Sequence, residues 1–86
     1  MSVIWILYIM RNTEKNYSKL LQNLSKNIKA ARLKKNYRQA DMIEYGFSER
    51  YFQKLESGVY SPNLYTMQRL ATAFETTVDK LLKPKS

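Results

Sequence analysis

The sequence predicts a compact all-α domain of five helices, preceded by an apolar extension that reads as a β-strand. Three observations predict it. From Thr13 onward apolar side chains recur every three or four residues, the period of a helix with one buried face. The periodic runs are separated by residues that start and stop helices: cap candidates Thr13, Ser48, Asn63 and Thr77, and the glycines Gly46 and Gly58. Beyond the first ten residues no segment has the β-branched and aromatic clustering of a strand.

Eighty-six residues hold one core and so one domain, drawn at residues 13–83 after an extension at 1–12 and before a tail at 84–86. Hydrophobic residues are 44% and aromatics 13%, enough to fold a small core. There is no cysteine and no histidine, which removes disulfides, thiol nucleophiles, Cys/His zinc sites and the commonest general base. With no glycine-rich phosphate loop either, neither an enzyme nor a cofactor is expected. The net charge is +8, a bias that favours a polyanion. Lys26, Lys29, Arg32, Lys34, Lys35 and Arg38 run without an intervening acid, a cluster suited to phosphates or to a solvated face.

The elements follow in order. "MSVIWILYIM" is too short for a bilayer span, which needs roughly 20 residues, and lacks the basic leading region and cleavage site of a secretory signal. Its residues Val3, Ile4, Trp5, Ile6, Leu7, Tyr8 and Ile9 predict a strand apolar on both faces, covered by pairing with the same strand of a second chain. A start at Met10 is the other reading of this segment. Thr13 and Glu14 then open a helix in which Tyr17, Leu20, Leu21, Leu24, Ile28 and Ala31 keep helical spacing, in one piece or in two divided at Asn23 and Ser25. "RQADMIEY" predicts a short second helix with Met42 and Ile43 inward, ended by Gly46 in a left-handed conformation. Ser48 caps a third, with Tyr51, Phe52 and Leu55 apolar, stopped at Gly58. Asn63 caps a fourth, carrying Leu64, Met67, Leu70, Ala71 and Phe74, and Thr77 caps the final "VDKLL" before Pro84.

Two short helices joined by a tight glycine turn, the second polar on one side, have the layout of a helix-turn-helix. On "SERYFQKLES" the helical wheel sends Phe52 and Leu55 inward and leaves Glu49, Arg50, Gln53, Lys54 and Ser57 on the opposite side. The competing structural uses are plain. Arg50 could neutralise Glu49 or Glu56, Tyr51 could be a half-buried aromatic, Tyr60 and Tyr65 read first as packed rings, and Asn63 reads first as a cap.

Residues 24–82 resemble the Cro/lambda-repressor (XRE-type) helix-turn-helix regulators. The matching pieces are "LSKNIKAARLKK", "QADMIEYGFS", "RYFQKLESG", "SPNLYTMQRLATAF" and "TVDKLL", in that order and spacing. The resemblance implies a five-helix domain that binds double-stranded DNA as a transcriptional regulator, in a cytoplasmic, prokaryotic or phage setting. It implies that Glu49, Arg50, Gln53 and Lys54 approach base edges. It also implies that Arg38, Gln39, Ser48, Tyr51, Ser57, Tyr60 and Asn63 lie along the DNA backbone, and that Glu56 is structural. Two departures stand out. Gln39 to Gly58 is one residue shorter than the commonest family spacing, so either helix two is trimmed or Arg38 takes the place of the glutamine. Glu75 stands where the family often has glycine.

The expected protein is a homodimer reading a palindromic operator, its half-sites about one helical turn (roughly 34 Å) apart. No small-molecule ligand and no membrane are expected. Two other readings remain: a protein-binding adaptor with the same fold and the apolar extension as its working surface, and a cationic membrane-surface protein anchored by Trp5 and Tyr8.

Overall fold

The computed structural model describes residues 2–84, so residue 1 and the last two residues of the tail lie outside the described residues. Five helices follow one another: α1 (Val3–Lys34), the 3-10 helix η1 (Gln39–Tyr45), α2 (Glu49–Leu55), α3 (Leu64–Ala73) and α4 (Val78–Leu82). The all-α expectation holds, and the strand expected at the N-terminus is helix.

That correction has a physical reason. Strand propensity reflects packing on neighbours more than backbone preference, and a lone strand has no partner for its backbone N–H and C=O groups. A helix satisfies them internally. Once the turns after Thr13 are formed, the costly nucleus exists and each further residue adds a hydrogen bond. The helix therefore grows back past Thr13 to Ser2, whose Oγ accepts from the Trp5 amide at 3.3 Å. It crosses the boundary drawn between residues 12 and 13 without a break. Nor do Asn23 and Ser25 divide it: the Ser25 hydroxyl is buried and bonds back to the Gln22 carbonyl at 2.9 Å. At about 1.5 Å per residue, these 32 residues account for nearly all of the 51 Å long axis of the molecule.

One ending recurs. After α1, Asn36 is left-handed (φ 59°), its amide bonds Leu33 O and the Tyr37 amide bonds Arg32 O. After η1, Gly46 (φ 85°) and Phe47 bond Ile43 O and Met42 O; after α3, Glu75 (φ 54°) and Thr76 bond Thr72 O and Ala71 O. Each pair is the Schellman pattern, which satisfies carbonyls that the helix end orphans. Starts are equally regular, with Ser48, Asn63 and Thr77 side chains accepting from the amides of Tyr51, Thr66 and Lys80. The shortest helix is also held from outside: Asn27 of α1 donates its amide to Leu81 O (2.7 Å) and Lys83 O (2.6 Å).

The core consists of Leu24 and Ile28 from α1, Met42, Phe47, Phe52 and Leu55 around the turn, Leu70, Ala71 and Phe74 from α3, and Leu81. One inward expectation fails. Ile43 is 62% exposed because η1 has three residues per turn: Met42 and Tyr45 then share a face, and Ile43 is rotated a third of a turn away. Leu64, the first residue of α3, is also exposed. Among the described residues no helix is long and apolar enough to cross a membrane, and no cluster of carboxylates is arranged to hold a metal ion.

Candidate nucleic-acid interface

The site is built around α2. One stripe of this helix, Phe52 and Leu55, is buried, and Phe52 packs edge-on against Phe47 and Phe74 at centroid distances of 6.0 and 6.4 Å. The aromatic Phe47 sits in the turn directly after Gly46 and is fully buried, so the turn is bolted to the same core as the helix it feeds. Arg69 of α3 fixes the turn from the other side. Its Nη2 donates to Tyr45 O (3.1 Å) and Gly46 O (3.2 Å), and its guanidinium lies 4.3 Å from the Phe47 ring centroid.

Beyond α2 comes a buried ion pair. Arg32 of α1 donates from Nε to Glu56 Oε2 at 2.7 Å and from Nη2 to Oε1 at 3.1 Å, and its Nη1 donates to Tyr37 O at 2.8 Å. Gln39 Nε2 donates to the same carboxylate at 3.2 Å. Glu56 thus ties α1, η1 and the end of α2 together, which agrees with its structural assignment. Arg32 must be withdrawn from the phosphate-binding cluster: its side chain is only 9% exposed and fully engaged. Lys35 also carries an intramolecular partner, Glu75 at 3.2 Å, while Lys26, Lys29 and Lys34 face solvent.

The opposite stripe of α2 is open. Glu49, Arg50, Gln53 and Lys54 are exposed, and among the described residues none of these side chains forms an intramolecular hydrogen bond or ion pair. Arg50 therefore does not neutralise Glu49 or Glu56. Lys54 Nζ hovers at 6.0 Å from the Tyr60 centroid, the outer limit of a cation–π contact.

The residues expected along the DNA backbone divide by what already occupies them. Ser48, Ser57 and Asn63 have local duties: Ser48 and Asn63 are caps, and Ser57 Oγ donates to Lys54 O at 2.7 Å. Tyr51 and Tyr60 are half-buried, with rings edge to face at 5.6 Å and hydroxyls 3.3 Å apart. That hydrogen bond, with burial, raises the Tyr60 phenol above its ordinary range. Arg38 is exposed and pairs with Asp41 at 3.2 Å, which raises its pKa further, so it is a fixed positive charge. Arg38, Gln39 and Glu49 border one open concavity with Lys29, and Ser48, Arg50, Tyr51 and Lys54 border a smaller one.

The short spacing before Gly58 has its explanation in η1. A 3-10 helix rises about 2.0 Å per residue against about 1.5 Å for an α-helix, so seven residues span what nine would in α form. Gln39 is the first residue of η1, beside Glu56, and Arg38 precedes it as the N-cap. Sequence reasoning missed Phe47, Arg69 and Asn27. Only Phe47 carried a signal, as the large apolar residue that habitually follows a Schellman glycine.

A helix-turn-helix family model of the Cro/C1 type matches residues 28–81, more than half of the chain. No curated protein and no solved structure matches it. The last two turns of α1, all of η1, α2 and α3, all but the final residue of α4, the glycine turn bolted to the core and the open polar stripe of α2 fall in the matched segment. The chain belongs to the Cro/C1-type (XRE) helix-turn-helix family of DNA-binding regulators.

Proposed function

We propose that the protein is a sequence-specific transcriptional regulator that acts as a homodimer on a palindromic operator, with α2 in the major groove of each half-site. One observation carries this reading: α2 is clamped at both ends and along one stripe, yet its other stripe has four polar side chains with no hydrogen-bond or ion-pair partner among the described residues. Immobilised, uncommitted donors and acceptors on a rod of helical diameter are what major-groove readout requires.

In this reading Arg50 and Lys54 donate to guanine edges, Gln53 pairs with adenine and Glu49 accepts from cytosine N4, each good pair contributing about 1–3 kcal/mol of discrimination. Arg38, Gln39, Ser48, Tyr51, Ser57, Tyr60 and Asn63 set the register on phosphates and sugars. Gln39, already oriented by Glu56, is the best placed of these. Lys26 and Lys29, exposed on α1, supply longer-range attraction.

The exposed apolar start of α1 favours a second reading, an adaptor that uses this segment to hold another protein. Salt separates the two. DNA binding through several phosphate contacts weakens on the order of a thousandfold between 50 and 200 mM salt, whereas binding led by residues 3–9 strengthens or holds. Enrichment of bound sequences from a random duplex library tests the first reading directly: a symmetrical motif supports it, and an unenriched pool removes it.

A further inference from the structure

The first turns of α1 stand clear of the rest of the protein. Residues 3–10 form about two helical turns with an apolar side chain at every position, each 44% to 80% exposed. A helix that is apolar all round belongs in a covered place. The exposed area is on the order of 1,000 Å², above the roughly 300–600 Å² of the largest apolar patch on an ordinary monomer. The row that Leu24 and Ile28 bury in the body continues back through Leu21, Tyr17, Met10, Leu7 and Val3, at helical spacing and interrupted by Glu14 alone. Around Tyr17, which meets the Ser61 hydroxyl, the body ends and the row runs on uncovered.

We infer that this overhang is covered by the same segment of a second copy, the two helices antiparallel, and that the pairing sets operator half-sites two helical turns apart. Charge selects the occupant and the direction. The chain carries +8, yet its first charged side chain is Arg11, so two copies meet over residues 3–10 without opposing like charges. A parallel pair sets the two basic bodies side by side. An antiparallel pair sends them to opposite ends, many times the roughly 8–10 Å screening length apart.

The apolar length sets the register. Full overlap of the apolar tips places Val3 of one copy opposite Met10 of the other and Ile6 opposite Leu7. Arg11 then lies at the partner's helix start, where the positive helix end opposes it through water, and Glu14 about one turn beyond offsets that charge. Such a pair covers about half of each tip, close to the roughly 1,000 Å² total that marks the lower bound of specific interfaces. It forms at micromolar concentrations or above and is completed on DNA.

The spacing follows from helix geometry and rests on the DNA-reading proposal above. Recognition helix α2 is tied to α1 near its residues 25–32, through Arg32 to Glu56 and through Ser25, which packs against Gly58. That stretch is centred about 22 residues from the middle of the tip, or about 33 Å at 1.5 Å per residue. Doubling across the two-fold axis gives about 66 Å, close to two turns of B-DNA at roughly 34 Å each. One turn is the spacing expected of bodies joined directly.

The test uses the full chain with Lys26→Cys, an exposed position in a protein without other cysteines, carrying a spin label. The antiparallel pair predicts an interlabel distance of about 58 Å at 1.5 Å rise per residue, abolished by Leu7→Glu with the helical circular dichroism unchanged. A distance below about 25 Å overturns the direction of pairing. A monomer by sedimentation at 100 μM, or an association that Leu7→Glu leaves intact, overturns the pairing itself. Trp5, the only tryptophan, gives a second readout: its emission shifts to the blue as the tips pair and stays put if they do not. Sequences selected from random duplex show half-sites about 20 base pairs apart; a spacing of about 10 overturns the geometry. No selected motif, with the long distance still present, removes the DNA reading and leaves the pairing standing.

Discussion

The Arg32 guanidinium and the Glu56 carboxylate face each other in two hydrogen bonds, 2.7 and 3.1 Å long, with both side chains less than 10% exposed. They join the first helix to the end of the recognition helix, and the same carboxylate orients Gln39. The orientation of α2 thus depends on a charge pair buried within the domain.

Removing one partner leaves the other charge buried and alone, a change that costs about 3–5 kcal/mol. Glu56→Ala should therefore take away much of the stability of a domain in the usual 5–15 kcal/mol range. Urea unfolding followed by circular dichroism measures the loss. A drop below 1 kcal/mol means the pair is not clamping the fold.

Glu75 occupies the left-handed position after α3 with φ 54°. A side chain in that conformation costs roughly 1–2 kcal/mol relative to glycine, offset in part by the greater freedom glycine has in the unfolded chain. Its partner Lys35 contributes little, because the Glu75 carboxylate is mostly exposed. Glu75→Gly should raise stability by about 0.5–1 kcal/mol. A fall in the urea midpoint contradicts this.

Gly46→Ala should destabilise by about 1–2 kcal/mol. Its φ is 85°, and an added Cβ meets Arg69 Nη2 at 2.6 Å. Arg69→Met, with glycine retained, should leave the fold intact but speed amide exchange at Gly46 and Phe47, because the Tyr45 and Gly46 carbonyls of that turn lose their donor. Unchanged exchange there means the staple is idle.

Acid should weaken the start of η1. The Arg38 backbone amide, and then its guanidinium, hold the Asp41 carboxyl below its ordinary value of 3.8. A carboxyl depressed in the folded state contributes stability above its unfolded pKa, and the contribution is lost as pH falls through the folded value. Wild type should therefore lose stability relative to Asp41→Asn as pH drops below about 4, measured by thermal melts between pH 2 and 7. Parallel profiles refute the assignment.

Apart from the start expected at Thr13, helix starts and stops were legible because they depend on local chemistry. Ser48, Asn63 and Thr77 cap as their side chains dictate, and Gly46 is left-handed as a turn there requires. The open stripe of α2 was legible from the wheel for the same reason. What was not legible depends on distant partners or on helix type. Arg32 reads as one more cation in a basic run until Glu56, 24 residues on, is seen to enclose it. Ile43 follows the wheel of an α-helix, whereas η1 winds more tightly. Residues 3–9 look like a strand by composition, but without a strand to pair with they extend the helix already begun behind them.

The most direct measurement compares sequences selected from a random duplex library by the wild-type chain and by Arg50→Ala. Among the described residues Arg50 has no hydrogen-bond or ion-pair partner, so its removal should leave stability within about 0.5 kcal/mol while one position in each half-site loses its base preference. Identical consensus sequences from the two proteins, or none from either, contradict an α2 that reads bases.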